Sequence, residues 1–243
     1  MYLLRHRTSD REYLRAPGDD LETDVGVLTV PEDAAHGDVL YTHLDEPFDV
    51  RAPRGPDLFD HLDRTGAPMM PRDVGLVLGH VGPAAGDRVL DAGTGTGILA
   101  AYLGRLGLAV TTYERDPEFA AVARENLRVA GAADRVEVRT GDVTAALDGL
   151  TDESWDLVTL DTGDAPRVVE RAPDLLAPGA TVAVYAPFVE SARETHLAAA
   201  DAGLTAVETY ETIQRRMTFD DRGTRPTTAG VGHTGYLTFA RRS

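Results

Sequence analysis

Four carboxylates, each at the end of a strand-like stretch, are the residues best placed to do chemistry in this sequence. They are Asp91 in VLDAG, Glu114 in VTTYE, Asp142 in VRTGD and Asp161 in LVTLD. The first is followed by Gly93, Thr94, Gly95, Thr96 and Gly97, a G-x-G-x-G run. Dinucleotide folds carry G-x-G-x-x-G and need room for a pyrophosphate over the following helix start. Here position 98 is Ile, so the spacing does not match. Glycines without Cβ let a backbone approach a ligand closely.

S-adenosylmethionine makes that demand. It carries no phosphate, and its amino-acid and ribose parts need close backbone approach. In this reading Asp91 holds the ligand's ammonium, directly or through water. Glu114, about 20 residues beyond Gly93, accepts both ribose hydroxyls. Asp142, with Val143 beside it, accepts from the adenine amino group. Singly, the glycine cluster reads equally as a tight turn, and Glu114 or Asp142 as a solvated loop carboxylate. Carboxylates at three successive strand ends, with glycines at the first, favour the cofactor site. Asp161 reads either as a turn or helix cap, since Thr162, Gly163 and Asp164 are turn formers, or as the group that accepts a hydrogen bond from an amine on the methyl acceptor and takes its proton. Little else is required, because an activated sulfonium needs mainly in-line positioning and a desolvated acceptor. The histidines show no H-E-x-x-H or comparable spacing, so no metal is implied.

These residues need a scaffold that brings strand ends together. From Pro71 onward the sequence alternates strand and helix signals: a helix at DVGLVLGHV, strand DRVLDAG, a helix from about Gly97 to Leu106, strand LAVTTYE, helix PEFAAVARENLRVAG, and so on through WDLVTLD, PRVVERAPDLL, ATVAVYAP and VESARETHLAAADAG. Strands alternating with helices of this length predict a mostly parallel sheet covered on both faces. Ligands then sit beyond the carboxyl ends of the strands. LTAVETYETIQRRMTF and GYLTFARR predict two strands forming an antiparallel hairpin at the sheet edge. Residues before about 70 hold short strand-like pieces and a helix at DLFDHLDR, read as a small β-rich domain. The expected division is residues 1–68 for that domain and 69–243 for an α/β, Rossmann-like catalytic domain of class I methyltransferase type.

Composition narrows the partners. The 243 residues hold 40 acidic against 24 basic side chains, a formal charge of -16, and all the basic ones are arginine. Molar salt shortens the Debye length to about 3 Å, so a carboxylate surface without flexible ammonium stems suits a saline interior. An acidic mesophilic protein encoded in a GC-rich genome, which favours arginine over lysine, would share this composition. Net charge ordinarily argues against nucleic acid, but high salt damps steering and counterion release, so RNA stays open. The absence of cysteine excludes disulfides and thiolate chemistry. No apolar run approaches the roughly 20 residues of a membrane span, no signal peptide is read at the start, and a cytoplasmic location is the expectation.

Beyond the cofactor the residues alone leave the acceptor open, and a resemblance adds to them. Met70-Pro71-Arg72-Asp73 resembles a Y-P-K-D join, VLDAGTGTGILAAYL an E-A-G-T-G-S-G pattern, YERDPEFAAVARENL a tyrosine–glutamate strand end with its helix, and RPTTAGVGHTGYLTFARR a closing R-P…H-T-G-[YF]-L segment. All belong to the tRNA (adenine-N1)-methyltransferases that modify adenine 57/58 in the T-loop, and the likeness covers nearly the whole chain. It implies a homotetramer, tRNA as partner, and Asp161 as the catalytic residue, accepting from N6 while N1 attacks the methyl; joined to the composition, the reading is of an archaeal, halophilic member. N1 lies on the pairing edge, so the base must leave its stack. Arg72, Arg215, Arg216 and Arg225 are the candidates for phosphate contacts at the rim, each also readable as an ordinary surface residue; His233 is read as stacking near the pocket or as a core hydrogen-bonding residue. Departures fall at the base pocket: Leu160-Asp161-Thr162-Gly163-Asp164-Ala165-Pro166 lacks the family's first proline and tryptophan, and Met70 replaces a tyrosine. Alternatives are a small-molecule or protein methyltransferase on the same fold, and a noncatalytic cofactor- or RNA-binding subunit.

Overall fold

The computed structural model describes residues 1–228, 232 and 235–243. The chain opens with β1 (Tyr2–His6), β2 (Glu12–Arg15), β3 (Asp20–Thr23), β4 (Gly26–Thr29), β5 (Val39–Tyr41) and β6 (Pro47–Arg51). Four of these form an antiparallel sheet in the order β2-β1-β6-β5, and β3-β4 is a separate hairpin. Leu4, Leu21, Leu28, Val30, Phe48 and Val50 close a small core between them. Next comes α1 (Gly55–His61), with Leu58 packed into the large core of the α/β part that follows and Leu62 just beyond the helix doing the same.

The second part runs α2 (Pro71–Val81), β7 (Arg88–Ala92), α3 (Ile98–Arg105), β8 (Ala109–Glu114), α4 (Pro117–Ala130), β9 (Val136–Thr140), α5 (Val143–Leu150), β10 (Trp155–Leu160), α6 (Ala165–Glu170), α7 (Ala172–Leu175), β11 (Leu176–Ala186), α8 (Val189–Asp201), β12 (Thr205–Glu211), β13 (Met217–Asp220), β14 (Gly223–Pro226) and β15 (Tyr236–Arg241). Seven strands make one sheet, β12-β15-β11-β10-β7-β8-β9. The five from β11 to β9 are parallel to one another, and β15 enters antiparallel between β11 and β12. This is the Rossmann-like fold that the strand–helix rhythm predicts.

Neighbouring residues of the central strands feed opposite faces, as a period of two requires. Val89, Leu157 and Ala183 pack under α1 to α4, whereas Leu90, Val158 and Val182 pack under α5 to α8. With both faces covered, each central strand is apolar nearly throughout, as parallel sheets demand. The exceptions are informative: Asp91, Thr112 and Thr159 are polar, buried, and side by side in the register of three adjacent strands.

Two expectations need refinement. The stretch LTAVETYETIQRRMTF does not continue as one strand: β12 pairs with β15, but Met217–Asp220 departs to form a separate ribbon with β14. The stretch PRVVERAPDLL is two short helices meeting at Arg171. Pro173 has no amide to donate and fits only a first helical turn, so it starts a new helix.

Candidate active site

A cleft of about 370 Å³ opens at the carboxyl ends of β7, β8, β9 and β10. Local backbone chemistry puts each carboxylate there. Asp116 caps α4 by accepting from the Glu118 and Phe119 amides, and Pro117 supplies the first helical position, which stops β8 at Glu114. Asp142 caps α5: its Oδ1 accepts from the Thr144 amide and hydroxyl, both at 2.8 Å. Those bonds hold its carboxyl below the ordinary range, helped by Arg115 and Arg167.

The glycine loop lies between β7 and α3. Gly93 has φ +89°, and a Cβ there would overlap the carbonyl oxygen of Asp161 and lie 2.6 Å from its carbonyl carbon. The Asp161 amide in turn donates to the Ala92 carbonyl at 2.8 Å. Loop and carboxylate are thus packed backbone to backbone. Glu114 pins the loop from the other side, accepting from the Gly95 amide at 2.9 Å and from the Asp116 amide at 3.0 Å. Gly97, with φ +76°, opens α3, where a Cβ would meet Ala123 at 3.4 Å.

Of the residues expected in a cofactor site, Asp91, Gly93, Thr94, Gly95, Thr96, Glu114, Asp142 and Val143 line this one cleft, together with Asp161. Gly97 stands just behind the lining. Asp161 is half-buried, and burial first, then the charge of Asp91, pushes its carboxyl up to about 7. Asp91 is buried, and loss of hydration raises its carboxyl above the usual range despite bonds from Thr112 and Thr159 that work the other way.

The arginines fall elsewhere. Arg72 is nearly buried; it donates to the Gly232 carbonyl at 2.7 Å and lies beside Asp73. It therefore ties the join before α2 to Gly232 near the C-terminus. Arg215 and Arg216 are exposed on the approach to β13, and Arg225 is exposed on β14 near Asp220. None of the four is among the described residues lining the cleft. His233 lies outside the described residues. Among the described residues, no group of three or more His, Cys, Asp or Glu is arranged to hold a metal, and no helix is long and apolar enough to cross a membrane.

Several lining or supporting residues escape a strand-end reading. The segment Thr65 to Met69 forms one wall, and it is Met69, not Met70, that lines the cleft. Asn126, buried on α4, donates to the carbonyls of Thr96 and Asp63 at 2.8 Å and accepts from the Asp63 amide at 3.1 Å. It clamps the glycine loop to the chain entering that wall. An amide at helical spacing with Ala123, Leu127 and Ala130 was the available signal. Arg115, pairing with Asp164 at 3.5 Å, links the rims above β8 and β10.

A glycine loop in which Gly93 has no room for a side chain, with acidic groups at successive strand ends, fits a cationic nucleoside cofactor without phosphate. Comparison with known proteins agrees. A methyltransferase domain family matches residues 89–179. The tRNA (adenine(57)-N(1)/adenine(58)-N(1))-methyltransferase TrmI of Methanocaldococcus jannaschii is 31% identical, covering 98% of this chain and 94% of its own. Among solved structures, a SAM-dependent O-methyltransferase from Thermotoga maritima superposes with a TM-score of 0.80 at 24% identity, covering 99% of this chain and 92% of its own. The tRNA (m1A58) methyltransferase TrmI of Aquifex aeolicus gives 0.75 at 23% identity, covering 100% and 97%.

Proposed function

Because this chain belongs to the TrmI-like class I S-adenosylmethionine-dependent methyltransferases, we propose that it methylates N1 of adenine 57/58 in tRNA. The observation that carries the reading is Asp161, half-buried in the cofactor cleft and seated backbone to backbone on Gly93. When bound, S-adenosylmethionine supplies a methyl group already activated on a sulfonium. Glu114 and Asp142 would hold its ribose and adenine, and Asp91 the amino-acid end. Asp161 accepts a hydrogen bond from the adenine N6 amino group, which fixes N1 toward the methyl. In its ionised form it takes the N6 proton as positive charge develops on the ring. A carboxyl near 7 is matched to that role, because a base works best when its pKa lies near the working pH.

Similarity over nearly the full length of a tRNA-modifying relative supports this substrate. A homotetramer is part of the same proposal, and exposed Ile213, Met217 and Phe219 on and before the β13–β14 ribbon offer apolar surface for it. A second reading, methyl transfer to a small molecule or a protein, draws on two observations. The O-methyltransferase from Thermotoga maritima shares the whole architecture, and the proposed phosphate-binding arginines lie outside the cleft lining. Acceptor competition separates the two. Labelled S-adenosylmethionine is offered to the protein with unmodified tRNA, a protein extract and a small-molecule pool together. Label in tRNA supports the proposal, whereas label confined to either other pool replaces it.

A further inference from the structure

Asp91 makes bonds on both carboxylate oxygens inside the sheet. Thr112, opposite it on β8, donates its hydroxyl to Oδ2 at 2.5 Å, and Thr159, opposite it on β10, donates to Oδ1. All three are at most 4% exposed. Thr112 has one hydroxyl proton and donates it to Asp91, so its 2.5 Å contact with Thr94 makes Thr94 the donor. A chain of hydroxyls therefore runs from the glycine loop, through Thr112, to a buried carboxylate held from its other side by Thr159. Parallel strands buried on both faces favour Val and Ile at such positions. Threonine keeps that shape and adds one proton donor.

We propose that Thr112 and Thr159 are positioning residues that keep the Asp91 carboxylate ionised and fixed under the glycine loop, so that the cleft prefers the cationic cofactor over its neutral-sulfur product. The two ligands share ammonium, carboxylate, ribose and adenine, and differ by the sulfonium charge. A buried anion sees that charge through little water, so the attraction is stronger than at a surface. Hydrogen bonds to the charged form hold a buried carboxylate ionised against loss of hydration. The ionisable groups coupled to Asp91 are Glu114 at the end of β8 and Asp161 at the end of β10, both acidic, while Arg115, Asp142 and Asp164 also line the cleft, Arg115 being paired with Asp164. The segment Thr65 to Met69 and the start of α3 bring no ionisable side chain to the cleft. The two hydroxyls are the hydrogen bonds that oppose protonation of Asp91 among the described residues. Methyl transfer removes the sulfonium charge, so the same anion loosens its hold on the product.

The test is calorimetric binding of S-adenosylmethionine and S-adenosylhomocysteine from pH 6 to 9, with proton uptake taken from buffers of different ionisation heat. The proteins are wild type, Thr112→Val, Thr159→Val, the double variant and the two serine variants. All are built in an Asp161→Asn background, so that Asp161 does not titrate. Each lost hydroxyl is expected to raise the midpoint of cofactor binding by about one pH unit. At pH 7 the double variant then binds S-adenosylmethionine more weakly than wild type, gains back affinity toward pH 9, and changes less toward the product. The serine variants behave as wild type. If the double variant does not fold, Thr159→Val alone makes the comparison. Equal, pH-independent losses for both ligands would reduce the threonines to packing and overturn the proposal, as would unchanged affinities.

Discussion

Replacing Gly93 by alanine tests how tightly the glycine loop and Asp161 are joined. Two effects act at this residue. A φ of +89° costs an L side chain about 1–2 kcal/mol. The new methyl would also lie 2.6 Å from the Asp161 carbonyl carbon, where unstrained carbon contacts are about 3.5–4.0 Å. Asp161 or the loop must therefore yield by roughly 1 Å, and a displacement of that size at a reacting group costs about 100-fold in rate. Gly131→Ala separates the terms: Gly131 ends α4 at φ +69° with nothing within 4 Å of a Cβ. The expected result is a Gly93→Ala protein with native circular dichroism, kcat about 100-fold lower, and cofactor affinity reduced less than kcat. Gly131→Ala should lose only about 1 kcal/mol of stability and no activity. Single-turnover transfer of labelled methyl, with Kd measured separately, reads both. A Gly93→Ala variant with wild-type kcat would refute the claimed contact.

Four further outcomes follow from the same geometry. Rate under kcat/KM conditions should rise with pH through about 7, the value to which burial and Asp91 push Asp161, and Asp161→Asn should abolish that rise along with most activity. Asp161 also bears on stability: between the ordinary carboxyl range near 3.8 and about 7 the folded state holds a proton that the unfolded chain has released. Its contribution therefore favours folding at the acid end of that window and is lost as pH rises through it; thermal melts of Asp161→Asn without cofactor should lack this component. Glu114→Ala removes the acceptor for the Gly95 and Asp116 amides, and with charged hydrogen bonds worth about 1.5–3 kcal/mol it should weaken cofactor binding about 10- to 100-fold in a calorimetric titration. Asn126→Leu leaves the Thr96 and Asp63 carbonyls without their buried donor and should lower stability by about 2–4 kcal/mol, seen in denaturant unfolding, while raising the cofactor Kd.

The sheet and its carboxyl-edge site were legible because both rest on local patterns. Apolar strands ended by a carboxylate and a helix cap state where the chain turns, and those turns converge in a doubly covered parallel sheet. Asp91, Glu114, Asp142 and Asp161 could be read this way one strand at a time. Thr112 and Thr159 could not, since their meaning depends on which strands are neighbours: β10 and β8 flank β7 although β8 and β10 are separated by β9 in the chain. The wall from Thr65 to Met69 was hidden for a similar reason, being held in place by Asn126 some sixty residues on. The bond from Arg72 to the Gly232 carbonyl was hidden for the same reason, since its two ends lie far apart in the sequence. The break between β12 and β13 follows from ETIQRRM, where the apolar alternation that would keep a strand in the sheet lapses.

Methyl transfer from labelled S-adenosylmethionine to unmodified tRNA in molar KCl decides between tRNA and another acceptor. Product nucleosides are mapped, and wild type is compared with Asp161→Ala after both are shown to bind cofactor. Wild type is expected to yield N1-methyladenosine at position 57 or 58, and the variant to lose it with cofactor binding retained. Cofactor binding by wild type without label in tRNA would contradict the assignment of substrate, and equal label from the variant would contradict the role of Asp161.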